Sequence, residues 1–313
     1  MIAITGASGY LGSHLTRRLV ESGYQVRAVI RNRAKAEQES RLGGLDVEWV
    51  EGDVTRPETL ANAFVGATAV LHTVAVAIEK KRSSYEEINY RGSLNVVDAA
   101  RKAGIRRFIY ISQLGASADL PYRFLASKGM GEDYVVASAL DWTVFRPAVI
   151  WGPEDEFANS FARLIPITPF IFPIVGDENS LFQPVWVEDV AASVQKSLDD
   201  PSTFRQIYEL GGPEVLTLEE IERRTLKALG RRRLLIPFPM TLLRIFVSLM
   251  EAVLPNPPVT RNLLELLAVS NVTSNNSTPR FVDKPEFFTS ENVAVYMREF
   301  RVRDSLAQYL NKQ

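Results

Sequence analysis

The first twelve residues limit the fold more than any other stretch. Met1-Ile2-Ala3-Ile4 is a short apolar run, and Thr5-Gly6-Ala7-Ser8-Gly9-Tyr10-Leu11-Gly12 follows at once, ahead of an amphipathic stretch from Ser13 to Glu21. The order reads as strand, glycine-rich turn and helix. Gly6 permits a tight turn, Gly9 lets backbone N–H groups approach a pyrophosphate, and Gly12 lets the helix pack closely on the strand. The helix N-terminus then offers N–H groups and a partial positive charge to phosphate. Thr5, Gly6, Ser8, Gly9, Tyr10, Leu11 and Gly12 are therefore the first candidate dinucleotide-binding residues. A βα turn without a ligand also uses glycines, but the place directly between strand and helix is what the fingerprint requires.

The second strand, Tyr24 to Ile30, ends in Arg31-Asn32-Arg33, with Lys35 beyond. About 20 residues past the glycines, an acid would bind the ribose 2′-hydroxyl of NAD and an arginine the 2′-phosphate of NADP. Cations and no carboxylate stand there, so Arg31 and Arg33 select NADP(H), with NAD(H) as the alternative and a solvated basic turn as the plainer reading. Further strands follow at Val47–Val50, Ala69–Thr73, Phe108–Ile111 and Trp142–Phe145, alternating with helices. That alternation predicts an α/β fold, a doubly wound parallel sheet covered on both faces. Thr55-Arg56-Pro57-Glu58 and Ser84-Tyr85-Glu86-Glu87 read as capping boxes. Small residues near Val74 and Ala75 leave room for a cofactor or serve ordinary packing.

Composition closes off other chemistries. There is no cysteine, so disulfides, zinc–thiolate sites and cysteine nucleophiles are excluded. Two histidines, His14 and His72, make a histidine-rich metal site or a Ser-His-Asp triad improbable, and no metal is expected. A net charge of -1 gives no field for nucleic acid. The chain opens into a core strand with no signal-peptide pattern, and no uncharged apolar run is long enough to span a bilayer, so the expectation is cytoplasmic, or peripheral at a membrane.

After Pro153 the strand–helix rhythm changes, which predicts a division into residues 1–153, a dinucleotide-binding core, and 154–313, a smaller α/β lobe partly rejoining it. Thr217-Leu218-Glu219-Glu220 caps a helix ending near Gly230. Within 240–254, Leu242, Leu243, Ile245, Phe246, Leu249, Met250, Val253 and Leu254 fall at helical spacing. This helix either packs on the protein's own core or offers a surface to a membrane, a lipid-like ligand or a partner complex. Asn256-Pro257-Pro258 precedes a second apolar helix from Arg261 to Val269. Thr273 to Pro279 reads as a polar loop.

The T-G-x-x-G-x-x-G spacing resembles the short-chain dehydrogenase/reductase superfamily in its extended and atypical branches. The resemblance covers nearly the whole chain, through Gly52-Asp53, Asn89, Ser112, Lys128 and Arg146-Pro147. It implies that Asp53, Val54, Val74, Ala75, Asn89, Lys128, Pro147 and Val149 contact the cofactor. Active members carry a Tyr-x-x-x-Lys pair, in which the tyrosine moves the proton and the lysine lowers its pKa and holds the nicotinamide ribose. Here Lys128 is present and position 124 is Phe. The family's serine aligns with Gln113, with Ser112 one residue earlier. Tyr122 would lie about 200° round the helix from position 124 if the helix includes it. Glu209-Leu210-Gly211-Gly212-Pro213-Glu214, the apolar helix and Pro258-Val259-Thr260-Arg261 resemble the atypical group around the nucleotide-binding accessory subunit of respiratory complex I and related photosystem II assembly factors. That resemblance implies a cofactor-holding structural or assembly protein. The alternative is an NADPH-dependent reductase, epimerase or isomerase with another proton donor, from Ser112, Tyr122 or the substrate.

Overall fold

The structure, a computed structural model, describes residues 1–38, 41–79, 83–168, 170–174, 180–254, 257, 259–267 and 269–297. They form two compact units. The first holds Met1–Pro147, Val187–Leu210 and Asn275–Lys284; the second holds Ala148–Trp186, Gly211–Ser274 and the described residues from Pro285 onward.

In the first unit, β1 (Ile2–Thr5), β2 (Val26–Ile30), β3 (Glu48–Glu51), β4 (Ala69–His72), β5 (Arg107–Ile111), β6 (Asp141–Pro147) and β7 (Gln206–Leu210) make one parallel sheet. Their order is β7-β6-β5-β4-β1-β2-β3. Strands buried on both faces read as near-continuous apolar runs, as β1 (Ile-Ala-Ile-Thr) and β4 (Ala-Val-Leu-His) do. One face, with Ala3, Val29, Val70 and Phe108, packs against α3 (Pro57–Ala63), α4 (Gly92–Lys102) and α5 (Arg123–Ala137). Alternate residues such as Ile4, Ala28, Leu71 and Ile109 are equally buried on the opposite face. That face is served by α1 (Tyr10–Glu21) and the helix Val187–Ser197, tied together by His14 Nδ1 and Glu188 Oε1 at 2.5 Å. A short α2 (Arg33–Gln38) follows β2. The chain crosses from β3 to β4 on the far side of β1, which puts the topological switch point between β1 and β4, where open α/β sheets bind ligands.

Two helix starts differ from expectation. The Thr55–Glu58 capping box does not form, because the Thr55 hydroxyl donates to Asp53 Oδ1 at 2.8 Å and Arg56 becomes the N-cap. After Ser84 the chain opens as a π-helix, Glu86–Arg91, before α4. Only the serine half of that box is present, Ser84 Oγ accepting from Glu87 N–H at 3.1 Å.

The second unit packs five helices with three two-stranded pairs among the described residues. Its core includes Trp151, Phe161, Phe172, Phe182 and Phe288. The Thr217–Glu220 capping box is complete on Leu218–Ala228. The expected apolar helix spans Met240–Val253, and its apolar row divides. Leu243 and Val247 are buried, while Leu242, Ile245, Phe246, Leu249 and Val253 are exposed. Asn256 and Pro258 lie outside the described residues, and the next helix is Arg261–Leu267. The 271–279 stretch is pinned: Asn271 Oδ1 accepts from Val149 N–H at 2.7 Å, and in the first unit Asn276 Oδ1 accepts from Thr278 N–H at 3.0 Å.

Candidate functional site

The glycine turn is shaped by three close approaches. Gly6 has φ +80°, a left-handed conformation that disfavours side chains, and a Cβ there would meet Thr73 Oγ1 at 2.8 Å. A Cβ on Gly12 would lie 2.0 Å from Gly6 O, so the helix packs on the turn's own first glycine rather than on the strand. A Cβ on Gly9 would stand 3.1 Å from the same oxygen. With α1 beginning at Tyr10, the first-turn amides of Leu11 and Gly12 have no carbonyl inside the helix to donate to. Val74 borders Gly6, and Ala75 beside it is exposed.

The layer beneath α4 changes character along the sheet. Register pairs Ala3 with Val70 and Val70 with Phe108; two residues on, it pairs Thr5 with His72 and His72 with Tyr110. At their C-terminal ends β1, β4 and β5 thus turn from an apolar row to a polar one. Ser93 Oγ gives its hydrogen to Asn89 O at 2.6 Å, so the ring N–H donates across its 3.1 Å contact with His72 Nε2. Nδ1 then accepts from the Thr5 hydroxyl at 2.7 Å. His72 is fully buried, and desolvation, with the Lys128 charge second, holds its pKa down at about 3. The row is neutral. Thr5 therefore faces the interior with its side chain. Asn89 is likewise committed, accepting from Val76 N–H at 2.8 Å and donating to Val76 O and Ser127 Oγ, both at 3.1 Å.

Lys128 lies one turn past Phe124 on α5, almost fully buried. Its Nζ donates to Ile111 O at 2.6 Å and sits 4.5 Å from the centroid of the Tyr110 ring. Burial lowers its pKa to about 7, with Glu132 pulling the other way. Glu132, also buried, forks onto Arg146, whose Nε donates at 3.0 and 3.1 Å. Gly129 and Gly131 leave α5 without side chains there. A Cβ on Gly129 would meet Ser117 at 2.4 Å, and one on Gly131 would meet Tyr110 Oη at 2.7 Å. Ser112 continues β5, its N–H donating to Phe145 O at 2.8 Å, but its buried hydroxyl has no partner among the described residues. The Phe124 ring packs edge-on to Tyr85 at 5.7 Å. Tyr122 is the extended N-cap of α5, outside the helix, so the helical rotation that would turn it away does not apply. Its phenol makes no hydrogen bond among the described residues.

The remaining candidates are spread out. Arg31 and Arg33 are exposed beyond β2. Asp53 accepts from Thr55 N–H at 2.9 Å, Val54 is in the core, and Pro147 ends β6. Val149 belongs to the second unit. Arg41 Nη1 lies 3.5 Å from Ser8 O, a cation beside the turn that sequence reading passed over. His72, Ser93 and Tyr110 were missed as well. Their signal was a polar residue closing each of two apolar strands and a serine four residues after Asn89.

A protein family described as NAD(P)H-binding matches residues 6–163. The chain belongs to that family. It is 32% identical over 222 residues to the mitochondrial NADH dehydrogenase (ubiquinone) 1 alpha subcomplex subunit 9 of Arabidopsis thaliana, covering 70% of this chain and 55% of that protein. It is 33% identical over 194 residues to the ceramide reductase of Caulobacter vibrioides, covering 62% and 59%. The photosystem II assembly factor Ycf39 of Trieres chinensis matches at 26% over 245 residues, covering 78% and 74%. The chain thus spans little more than half the length of the first two. The UDP-glucose 4-epimerase of Thermus thermophilus, solved with NAD, superposes with a TM-score of 0.69 at 21% identity, covering 96% of this chain and 99% of that one. This likeness shows the fold, a Rossmann-like α/β fold with a parallel sheet. The residues fit a dinucleotide: Gly6 and Gly12 exclude a Cβ, Gly9 admits one only tightly, the first-turn amides of α1 have no helical acceptor, and Ser112 holds a hydroxyl without a partner among the described residues.

Proposed function

We propose that this protein binds NADP(H) tightly and holds it as a structural or assembly subunit of a larger redox complex, without ordinary carbonyl turnover. The observation that carries the reading is Phe124. One helical turn before Lys128, where the superfamily's active members place a phenol, stands a ring that cannot move a proton and is packed on Tyr85. The glycine turn would take the pyrophosphate, and Arg31 and Arg33 the 2′-phosphate. Lys128, with one hydrogen on Ile111 O, would hold the nicotinamide ribose with another. The cofactor, when bound, supplies hydride chemistry; nothing at position 124 supplies the matching proton. The likeness to an NADH dehydrogenase subunit and to an assembly factor supports the non-catalytic role. The Met240–Val253 helix is the surface through which such a protein would attach.

A second reading, a reductase with another acid, is favoured by the unpartnered Ser112 hydroxyl and by the similarity to a ceramide reductase. Titration of NADPH and NADH, with NADPH oxidation followed across a carbonyl panel, separates the two. The expected result is selective NADPH binding, an NADPH preference lost in Arg31→Ala, and no turnover. Phe124→Tyr, which restores the pair, raises a trace activity. Wild-type turnover at ordinary rates, on the order of 1–10³ per second, would establish the second reading.

A further inference from the structure

We infer that the second unit docks onto the surface of an anionic lipid bilayer through the Met240–Val253 helix and the strand edge that leads into it. The inference rests on the attachment role given to this helix above, not on the cofactor.

The exposed residues follow one helical stripe. Leu242, Ile245, Phe246, Leu249 and Val253 are spaced at intervals of three and four, and Val253 is 77% exposed. The buried Leu243 and Val247 secure an adjoining side, so the helix is anchored and still shows a second apolar face. The segment leading into the helix exposes further apolar side chains. The strand Leu234–Pro237 leads into it and pairs with Ile171–Ile174, placing Leu234 opposite Ile171. Both are exposed, as is Phe238 between strand and helix, and Phe170, just before Ile171, is 81% exposed. Monomeric soluble surfaces do not usually gather large apolar side chains from three segments.

Charge decides which occupant fits. Arg231-Arg232-Arg233 immediately precedes Leu234. Arg233 Nε donates to Thr168 O at 2.6 Å, which fixes the triplet at the start of the strand pair, and Arg231 and Arg232 are exposed. The helix carries one acid, Glu251, and Arg261 already pairs with it at 2.7 Å. An apolar face edged by cations, with its only helical acid neutralised, matches acyl chains beneath anionic phosphate headgroups. The geometry suits an in-plane helix. Fourteen residues rise about 21 Å, short of a bilayer's hydrocarbon core, and no helix among the described residues is long and apolar enough to cross a membrane.

Flotation of the full chain with vesicles of phosphatidylcholine alone, and of phosphatidylcholine with phosphatidylglycerol, tests this. Wild type should float with the anionic vesicles at low salt and much less with the neutral ones. Leu249→Glu or Phe246→Glu should cut partitioning at least about tenfold, since each removes an inserted apolar side chain. Replacing Arg231 and Arg232 by Ala should cost about fivefold per arginine, an effect that salt erases. All variants should keep wild-type thermal unfolding and NADPH affinity, because every substituted side chain is on the surface of the second unit. No flotation of wild type on anionic vesicles overturns the inference. So does flotation that the Glu variants leave unchanged, or a homodimer that they split while wild type ignores vesicles. NADPH affinity, read on the same samples, reports the cofactor reading separately.

Discussion

The glycine turn and the end of β5 lie on the same edge of the sheet and are built on opposite terms. At the turn, side chains are excluded: a Cβ on Gly6 would meet Thr73 and one on Gly12 would meet Gly6 O, and Gly9 N–H closes the turn on Gly6 O at 2.9 Å. At β5 the protein fills its own site. Lys128 is tied to Ile111 O, the Phe124 ring to Tyr85, and Glu132 to Arg146, and the buried Ser112 hydroxyl has no partner among the described residues. The contrast is between one end stripped of side chains and one filled by them.

The sharpest way to break the contrast is at the turn. Gly12→Ala sets a methyl 2.0 Å from Gly6 O, in backbone that cannot move without shifting Gly6 itself. The expected outcome is loss of NADPH binding by two orders of magnitude or more, with about 1–3 kcal/mol lost in stability from overpacking. Fluorescence titration and chemical denaturation measure the two. Retained affinity would mean that the turn is not the binding element.

Next comes the packed end. Glu132→Gln removes the nearer of Arg146's two carboxylates and leaves only Glu209, at 3.7 Å. Breaking a buried pair costs about 3–5 kcal/mol, and the lower end applies because Arg146 keeps about a quarter of its side chain in solvent. Denaturant midpoints give the value. A change below about 1 kcal/mol would show that this end is looser than its geometry implies.

The smallest effect is the pH response of His72. Its folded pKa of about 3 lies below the unfolded 6.5, so between those values the unfolded chain binds more protons. Stability from this group is complete above 6.5 and falls as pH falls, by up to about 1.4 kcal/mol per pH unit. Asp155, raised to about 6 by burial, binds its proton more readily when folded and opposes the trend between about 4 and 6. The net slope is therefore shallow, and ring-nitrogen NMR is the cleaner probe. At pH 5 His72 should remain the neutral Nε2–H tautomer; a transition near 6.5 would show the polar row open to water.

Sequence reading succeeded where local chemistry dictates the answer. Strands announced themselves by apolar runs, the turn by glycine spacing, and the Leu218–Ala228 helix by its capping box. It failed where a competing partner decided. Thr55 looked like a cap until Asp53, two residues earlier, took its hydroxyl. Thr5 and Asn89 are expected cofactor contacts whose side chains the structure engages elsewhere, with His72 and Val76, which spacing does not foretell. The Met240–Val253 helix showed its apolar character in sequence, but spacing alone does not say that only Leu243, Val247 and their neighbours would be covered.

The seventh strand of the sheet has a consequence for synthesis and for dissection. The family match runs from Gly6 to residue 163, yet β1 precedes it, and β7, which covers the β6 edge, is not made until Gln206–Leu210. A fragment cut to the matched segment would lose a central strand and leave β6 as a raw edge inviting other chains to pair with it. On the ribosome the nascent sheet waits in that unfinished state while the start of the second unit is translated. Truncated forms should therefore be sought among aggregates and chaperone-bound chains rather than among soluble domains.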